Sequence, residues 1–409
     1  MPNASSAPWG GPVTGDNLAM STVIHKASPF QRLMPLLKGF DGPLAFGVFL
    51  LACAGMLTMY SSGFANGARF FDHGRNMVLA GFIMFVVAQI PPQRLMAFAV
   101  PLYTLGVALL IAVALFGLTK KGARRWLNVG MVIQPSEIMK IAMPLMLAWV
   151  VQQREGLRTL RDWLVVAGLL AIPVLFILNQ PDLGTAILVA ASGIFVLYLA
   201  GMSWRLIALV GGGISIVLII LVVFGDSLCT QGVDWPGIRE YQKQRVCTLL
   251  DPHRDPLGKG FHILQSMTAV GSGGLWGKGW LKGTQAQLDF IPERDTDFIF
   301  AGFAEEFGFL GASILVALYL ALILRGLWIS LGAPTPFGRL LSASLALTIF
   351  TYAFVNLGMV TGLLPVVGVP LPFMSYGGTA LITLGVGLGL IMSIARDRSQ
   401  VTQGFSLQG

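Results

Sequence analysis

The sequence predicts an all-α, polytopic integral membrane protein with about ten transmembrane helices. Hydrophobic residues make up 55% of the 409-residue chain, charged residues only 11%, and the mean hydropathy is +0.74. Because a soluble domain carries about a quarter charged residues, a chain this apolar needs lipid as its main solvent. The net charge of +8 fits the excess of Lys and Arg that membrane proteins keep at cytoplasmic helix ends, so we predict no nucleic-acid partner.

Apolar stretches long enough to cross a bilayer recur along the chain and give the predicted spans. They are residues 43–60, 76–90, 98–118, 136–151, 163–178, 183–199, 206–224, 297–325, 340–364 and 379–395. One long connection, residues 225–296, separates the seventh span from the eighth.

Positive charge in the short connections predicts the orientation. With ten spans, most of these basic residues fall on one side, which we take as the cytoplasm and which holds both termini. The long connection then lies on the periplasmic side. The cytoplasmic set is Lys26, Arg32, Lys38, Arg94, Arg154, Arg158, Arg161, Arg205, Arg325, Arg339, Arg396 and Arg398.

The chain divides into three predicted parts. Residues 1–39 are rich in Pro, Gly and Ser and have no apolar core with a cleavage site, so we expect a largely disordered cytoplasmic tail rather than a signal peptide. Residues 40–398 form the transmembrane domain, and residues 399–409 form a cytoplasmic tail. The long connection is too short and too glycine-rich for a separate enzyme domain, so any catalysis must occur where it meets the helix ends.

A short outer connection between the third and fourth spans carries basic residues against the usual charge bias. They indicate an anionic partner on the outer side, and contact with lipid headgroups is the alternative. These residues are Lys120, Lys121, Arg124 and Arg125.

Polar residues also follow this connection into the next helix. Glu137 and Lys140 are three residues apart and share a helix face, so they could form a buried ion pair or contact a substrate. Trp126 could anchor the chain at the membrane interface. Asp182, before the sixth span, could cap that helix or point to a site.

Asp297 is the last polar residue before the apolar run of the eighth span. A partly desolvated carboxylate at this place can act as a general base. The alternative is a helix N-cap, which on position alone is favoured. Deeper in the same span, Glu305 and Glu306 are costly in lipid and should face a cavity or a partner.

Three prolines interrupt the apolar stretch after the ninth span, at Pro365, Pro370 and Pro372. Proline cannot continue a helix, and irregular backbone at membrane depth is tolerated only inside protein or beside a cavity. We therefore expect a cavity that opens to the outer side.

Other signals are weaker. Cys229 and Cys247 share the long connection and could pair if it lies in an oxidising compartment, but their spacing leaves this open. Residues 271–279, GSGGLWGKG, resemble a P-loop only faintly, since no Ser or Thr follows Lys278 and no strand precedes it. No cluster of Cys and His predicts a metal site.

Several of these stretches together resemble the SEDS family (shape, elongation, division and sporulation) of bacterial cell-wall polymerases. The resemblance covers nearly the whole chain after the N-terminal tail, and three stretches, YQKQRV, GKGWLKGTQ and VVGVPLPFMSYGG, look more like the elongation member than the division member. The stretches are KGARRWLNVG (121–130), QPSEIMKIA (134–142), QPDLGTAIL (180–188), YQKQRV (241–246), LDPHRDPLGKGFHILQS (250–266), GSGGLWGKGWLKGTQ (271–285), PERDTDFIF (292–300) and LPVVGVPLPFMSYGGTAL (364–381).

This resemblance implies a peptidoglycan glycosyltransferase of the bacterial inner membrane with a periplasmic site. Its substrate would be lipid II, a disaccharide-pentapeptide on undecaprenyl pyrophosphate, and its partner a class B penicillin-binding protein. Asp297 would be the catalytic base, which reverses the capping preference. The implied substrate-binding residues are Lys120, Lys121, Arg124, Arg125, Trp126, Glu137, Lys140, Arg245, Arg254 and Ser375. A divalent cation, Mg²⁺ or Mn²⁺, could share the pyrophosphate charge.

The chain departs from the family pattern at two places. Asp295 stands where the family usually has His, and residues 227–237 look like an insertion. Two other functions fit the spans: a lipid II transporter (flippase), which needs no outer carboxylate, and a non-enzymatic scaffold that positions a synthase.

Overall fold

The computed structural model describes residues 40–406, except 63–66, 121–122, 129, 131, 231–232, 234, 236–239, 255–257 and 288–292. The predicted N-terminal tail, residues 1–39, lies outside the described residues. The described chain is mainly helical, as predicted. Its helices are α1 (Gly42–Ser62), α2 (Gly67–Ala88), α3 (Pro92–Ala97), α4 (Ala99–Phe116), α5 (Pro135–Gln153), α6 (Leu160–Asn179), α7 (Leu183–Leu199), α8 (Trp204–Leu228), α9 (Glu240–Leu250), α10 (Lys259–Ser272), α11 (Thr284–Gln287), α12 (Ile299–Leu331), α13 (Pro336–Val360) and α14 (Gly378–Ser406).

Each predicted span coincides with one long helix. Within the described residues, 8 helices are long and apolar enough to cross a membrane. The other two helices at predicted spans are α7, which has 17 residues, and α5, which carries Glu137 and Lys140 near its start. The chain is thus a multi-pass membrane protein, while the count of ten spans and the side of each connection stay predictions.

Two helix boundaries differ most from the predicted ones. The second span was predicted to begin at residue 76, but α2 begins at Gly67, because polar residues in its first turns lower the hydropathy without preventing a helix. Among them, Arg75 and Asp72 form an exposed ion pair of 3.1 Å along the helix. At the other end of the chain, α14 continues to Ser406, beyond the predicted end of the domain at residue 398.

The connection between α4 and α5, which carries the basic residues, is a small antiparallel sheet rather than a plain loop. Strand β1 (Leu118–Lys120) pairs with β2 (Ala123–Asn128), which pairs in turn with β3 (Val132–Ile133). The strands are too short for their alternation to stand out in the sequence. The sheet leads directly into α5, whose first turn contains Pro135.

Helices α13 and α14 form the centre of the bundle. Of the span in α13, 78% is buried inside the protein, compared with 61% in α14 and none in α8. Helix α2 packs closely on α14, where Gly385 faces the Ala80 carbonyl and Gly389 faces the Met84 carbonyl. Small residues at this spacing let two helices approach, which drives association in lipid.

Helix α12 is broken at Gly308, which has φ 64° and ψ −166°. The glycine-rich stretch that faintly resembles a P-loop packs into this break. Lys278 N–H donates to the Glu305 carbonyl at 3.0 Å, and Phe309 N–H donates to the Gly274 carbonyl at 2.9 Å. The glycines therefore serve close backbone packing, since a side chain at these contacts would meet backbone atoms.

Cys229, at the end of α8, and Cys247, in α9, form a disulfide with Cα atoms 5.6 Å apart. The structure therefore contains the disulfide that the cysteine spacing alone left undecided. Cys53 is a free, half-buried cysteine in α1.

Candidate functional site

Asp297 lies just before α12 and faces the proline-rich segment. The N-cap of α12 is Phe298, so Asp297 does not hold the capping position that its place in the sequence suggested. Its Oδ2 atom lies 3.4 Å from the point where a side chain at Gly368 would begin. Gly368 has a positive φ of 77°, which favours glycine, and the missing side chain leaves room beside the carboxylate.

Asn356, a buried residue of α13, fixes the backbone next to this carboxylate. Its Nδ2 donates to the Asp297 carbonyl at 2.8 Å and to the Val369 carbonyl at 2.7 Å. One amide therefore joins the start of α12 to the proline-rich segment. The sequence reasoning missed Asn356, although a polar residue inside an apolar span was a signal that could have found it.

The proline-rich segment is irregular, as predicted, and is held by hydrogen bonds to its neighbours. Ser375 Oγ donates to the Thr296 carbonyl at 2.6 Å and accepts from Leu371 N–H at 2.7 Å. Tyr319 in α12 donates to the Pro372 carbonyl at 2.5 Å. Ser375 is buried, and its hydroxyl contacts the backbone of Thr296, the residue before Asp297. Its contact with a substrate stays a prediction.

Asp295 is also tied to neighbouring helices. Its Oδ2 pairs with Arg69 Nη1 of α2 at 2.7 Å, and its Oδ1 lies 3.9 Å from Arg294 Nε. Its backbone carbonyl accepts from Tyr376 N–H at 2.8 Å. Asp295, which replaces the family's usual histidine, therefore forms an ion pair with Arg69 and is not an isolated acid beside Asp297.

Arg125 of β2 contacts the turn between α6 and α7. It donates to the carbonyls of Gln180, at 3.2 Å, and Pro181, and its Nη1 lies 3.7 Å from Asp182 Oδ1. Gln134 Nε2 donates to Asp182 Oδ2 at 2.9 Å. Asp182 also accepts a backbone N–H in the first turn of α7, so it serves both as a cap and as part of a polar cluster.

This turn meets the proline-rich segment at the same glycine that faces Asp297. A side chain at Gly184 would begin 2.8 Å from the Val367 carbonyl and 3.3 Å from the Gly368 carbonyl. The start of α7, next to the turn that Arg125 contacts, and the carboxylate of Asp297 therefore both approach one short segment, residues 367–369.

Glu137 and Lys140 form the buried ion pair that was one of the two interpretations of their spacing. Lys140 Nζ lies 2.6 Å from Glu137 Oε1 and 5.2 Å from the centre of the Tyr352 ring. Thr383 of α14 donates to Glu137 Oε2 at 3.3 Å. Lys140, Tyr352 and Thr383 also line an apolar groove with Ile141, Leu345, Ile349, Leu384 and Leu388.

The two acids inside α12 also have partners. Glu305 is fully buried, and its carboxylate accepts from Lys278 Nζ at 2.6 Å and Thr284 Oγ1 at 3.0 Å. Glu306 accepts from the Ser61 hydroxyl of α1. Both acids stabilise the packing of the glycine-rich stretch against the helix break. An acid without partners would be costly in lipid, so contacts of this kind are expected.

The remaining predicted cations differ in what the structure shows of them. Arg124 is exposed and donates to the Ala114 carbonyl at 3.3 Å, and Trp126 is half-buried on the same strand. Arg245 lies in α9 with its Nε and Nη1 atoms shielded from solvent. Lys121 lies outside the described residues, and so do the side chains of Lys120 and Arg254.

Among the described residues, no group of three or more His, Cys, Asp and Glu side chains is arranged to hold a metal ion. The divalent cation that the sequence suggested stays a prediction.

The fold and the site define a polytopic membrane protein with an acidic group and several cations at one end of its helices. Residues 42–400 match the family of FtsW, RodA and SpoVE, described as cell cycle proteins. The chain belongs to this family, which confirms the resemblance to the SEDS polymerases.

Individual relatives agree with this assignment. The chain is 52% identical to the peptidoglycan glycosyltransferase MrdB of Escherichia coli (strain K12), over 78% of this chain and 84% of MrdB. It is 34% identical to a probable peptidoglycan glycosyltransferase FtsW of Geobacter sulfurreducens (strain DL-1 / KN400), over 88% of this chain and 96% of FtsW. The higher identity to MrdB, a RodA protein, confirms that the chain is more like the elongation member.

Solved structures share the fold. A crystal structure of the rod shape determining protein RodA of Thermus thermophilus is 29% identical with a TM-score of 0.64, and the match covers 88% of this chain and 97% of that one. A second structure comes from a peptidoglycan synthase complex that is described as coordinating polymerization and crosslinking. It is 32% identical with a TM-score of 0.73, and the match covers 88% of this chain and 99% of that one.

Proposed function

We propose that this chain polymerises lipid II into β-1,4-linked glycan strands during lateral cell-wall elongation, with Asp297 as the general base. Its family and its 52% identity to MrdB make it a peptidoglycan glycosyltransferase. The observation that supports the role of Asp297 is the position of its carboxylate beside Gly368, on a backbone that Asn356 holds.

The proposed reaction is a displacement at the anomeric carbon of the donor sugar. Asp297 takes the proton from the 4-hydroxyl of the acceptor sugar while that oxygen attacks the anomeric carbon. The bond from this carbon to the pyrophosphate oxygen breaks, and its electron pair leaves with undecaprenyl pyrophosphate. Attack from the opposite face inverts the α-linked pyrophosphate to a β-glycosidic bond, as a base carboxylate does with water in inverting glycoside hydrolysis.

The leaving diphosphate requires positive charge more than it requires an acid. Arg124 and Arg125 lie on the sheet beside the turn that meets Gly368, and they are the described cations best placed for this role. Lys120, Lys121, Arg245 and Arg254 are assigned the same role from the family motif. Glu137, Lys140 and Trp126 would line the cavity for the rest of the substrate.

The lipid tail of the substrate needs a path into the bilayer. The apolar groove beside Lys140 supports such a path, because Lys140 and Thr383 line it together with Ile and Leu side chains. We assign the polyprenyl chain to this groove, with the sugar and pyrophosphate toward Asp297.

We place the site on the periplasmic side of the bacterial inner membrane. The charge of the short connections predicts this orientation, and the Cys229–Cys247 disulfide agrees with it, since disulfides persist in oxidising compartments. We also propose a class B penicillin-binding protein as partner, because a similar structure is described as a complex for polymerization and crosslinking.

Replacing Asp297 with Asn tests the base assignment. Purified protein in detergent should lose at least ~100-fold of its lipid II polymerisation, the usual contribution of a general base. Asp72→Asn, which changes an exposed acid of α2, is the matched control and should keep full activity. Normal glycan chains from Asp297→Asn would rule out Asp297 as the general base. If the wild-type protein moves lipid II across vesicle membranes without making polymer, the protein is a transporter instead.

A further inference from the structure

Helix α8 is held to the rest of the protein in an unusual way. None of its span is buried inside the protein, and Leu209 and Val222 are each 73% exposed. Lipid tails are as apolar as these side chains, so no hydrophobic force pulls the helix onto its neighbours. The end of α8 is instead fixed to α9.

Leu250 of α9 packs on Gly225 of α8, and three polar or covalent contacts among the described residues strengthen this attachment. The disulfide joins Cys229 to Cys247, and Lys243 Nζ donates to the carbonyls of Val233, at 2.5 Å, and Thr230, at 3.4 Å. The partners of Cys247 and Lys243 in these contacts all come from the predicted insertion, residues 227–237. We call the following five residues the clamp: Cys229, Thr230, Val233, Lys243 and Cys247.

The clamp residues of α9 lie on one face of the helix. Lys243 and Cys247 are four residues apart and lie on the same face of the helix. Arg245 is about 200° around the helix from Lys243, so it lies on the opposite face. Its shielded Nε and Nη1 atoms agree with a position turned toward the protein.

Helix α9 is also connected in sequence and space to the region of Asp297. A short 3₁₀ turn leads from α9 to α10, and α10 packs on α12. There His262 stacks on Phe298, the residue after Asp297, with ring centres 5.7 Å apart. A displacement of α9 would therefore move a candidate cation relative to the proposed base.

We propose that the clamp is a positioning element, whose disulfide holds Arg245 where it binds the pyrophosphate of lipid II. This inference rests on the proposed function, because it takes the role of Arg245 from there. The substrate chemistry is an anionic diphosphate, and the clamp itself does not touch it.

Reduction of the disulfide releases the clamp. A dithiol such as dithiothreitol supplies two electrons and two protons, so Cys229 and Cys247 become thiols and the dithiol becomes its cyclic disulfide. Of the three described contacts of the clamp, the two lysine hydrogen bonds then remain. We expect the KM for lipid II to rise several-fold with little change in kcat, because binding is weakened while the base is kept.

The test measures KM and kcat of the purified full chain with lipid II, oxidised and after dithiothreitol, with the disulfide checked by peptide mapping. Cys229→Ser with Cys247→Ser should reproduce the reduced protein, and Cys53→Ser, the matched control in α1, should behave as the oxidised wild type. In an Arg245→Ala protein, which has a raised KM already, reduction should cause no further rise.

Any of three results would refute the positioning role of the clamp. They are free thiols at both cysteines in the oxidised protein, an unchanged KM after verified reduction, and an equal rise in KM on reduction of the Arg245→Ala protein. If the double cysteine variant does not fold, the reduced wild type decides. A failure of the proposed function looks different, since the oxidised wild type would then make no polymer or Asp297→Asn would make it normally.

Discussion

Replacing Asn356 with Ala should nearly abolish polymerisation while leaving a folded protein. The substitution removes two hydrogen bonds, to the carbonyls of Asp297 and Val369. Losing the buried bond to Val369 costs ~1–3 kcal/mol and losing the partly buried bond to Asp297 about 0.5–1.5 kcal/mol, so the segment that holds Asp297 loses roughly 1.5–4.5 kcal/mol of local stabilisation. A displacement of about 1 Å at a reacting group can cost ~100-fold in rate, and we expect a loss of this size in kcat.

The assay compares glycan chain formation from lipid II with thermal unfolding of the same purified sample. Ser344→Ala is the matched control, because Ser344 is also buried in α13 and its hydroxyl donates to the Ser192 carbonyl of α7 at 2.7 Å. This control should lose about 1 kcal/mol of stability and keep its activity, since its hydrogen bond joins helices away from Asp297.

Two results would refute the reasoning about Asn356. If Asn356→Ala polymerises lipid II at the rate of Ser344→Ala, the amide holds helices together and does not position the base. If kcat is kept and only KM rises, the amide acts on substrate binding rather than on the geometry of Asp297.

The buried ion pair and the helix packing give two further predictions. Lys140→Met should destabilise the protein by ~3–5 kcal/mol, because it leaves Glu137 without its cation. Adding Glu137→Gln should restore much of the lost stability. A double variant no more stable than Lys140→Met would contradict this prediction. Gly385→Val should lower stability by ~1–3 kcal/mol because its Cβ would begin 2.6 Å from the Ala80 carbonyl. Gly387→Ala should be tolerated, since its Cβ would lie in ordinary contact with Ile141 at 3.5 Å and Leu345 at 3.7 Å, and thermal unfolding in detergent compares the two variants.

Much of the fold could be predicted from the sequence because lipid imposes a simple requirement. A segment that crosses the bilayer must be long, apolar and helical, and this length and composition are visible in one dimension. The same rule predicted the irregular segment at Pro365, Pro370 and Pro372. It failed at the start of α2, where Arg69 and Asp72 lie in helical turns that hydropathy alone counts as a connection.

The site was less predictable, because its geometry depends on contacts between residues far apart in the chain. The motifs indicated Asp297 and its neighbouring cations, and the spacing of Glu137 and Lys140 allowed an ion pair. Nothing local indicated that Asn356 donates to both Asp297 and Val369, since its two acceptors come from different segments. A hydrogen bond of this kind has no periodicity to detect.

The break in α12 shows why the carboxylate and the glycine-rich stretch belong to one structure. The turns that follow Asp297, from Ile299 to the break at Gly308, are a short helical piece whose backbone does not continue directly into the long apolar part. Lys278 pairs its backbone with the end of this piece and its ammonium with the buried Glu305. Unpaired backbone groups at membrane depth would cost several kcal/mol each, so the glycine-rich stretch is required for the break to exist. The break leaves the first turns of α12 to be held by contacts with neighbouring segments, and Asn356 supplies one such contact, to the backbone of the proposed base Asp297.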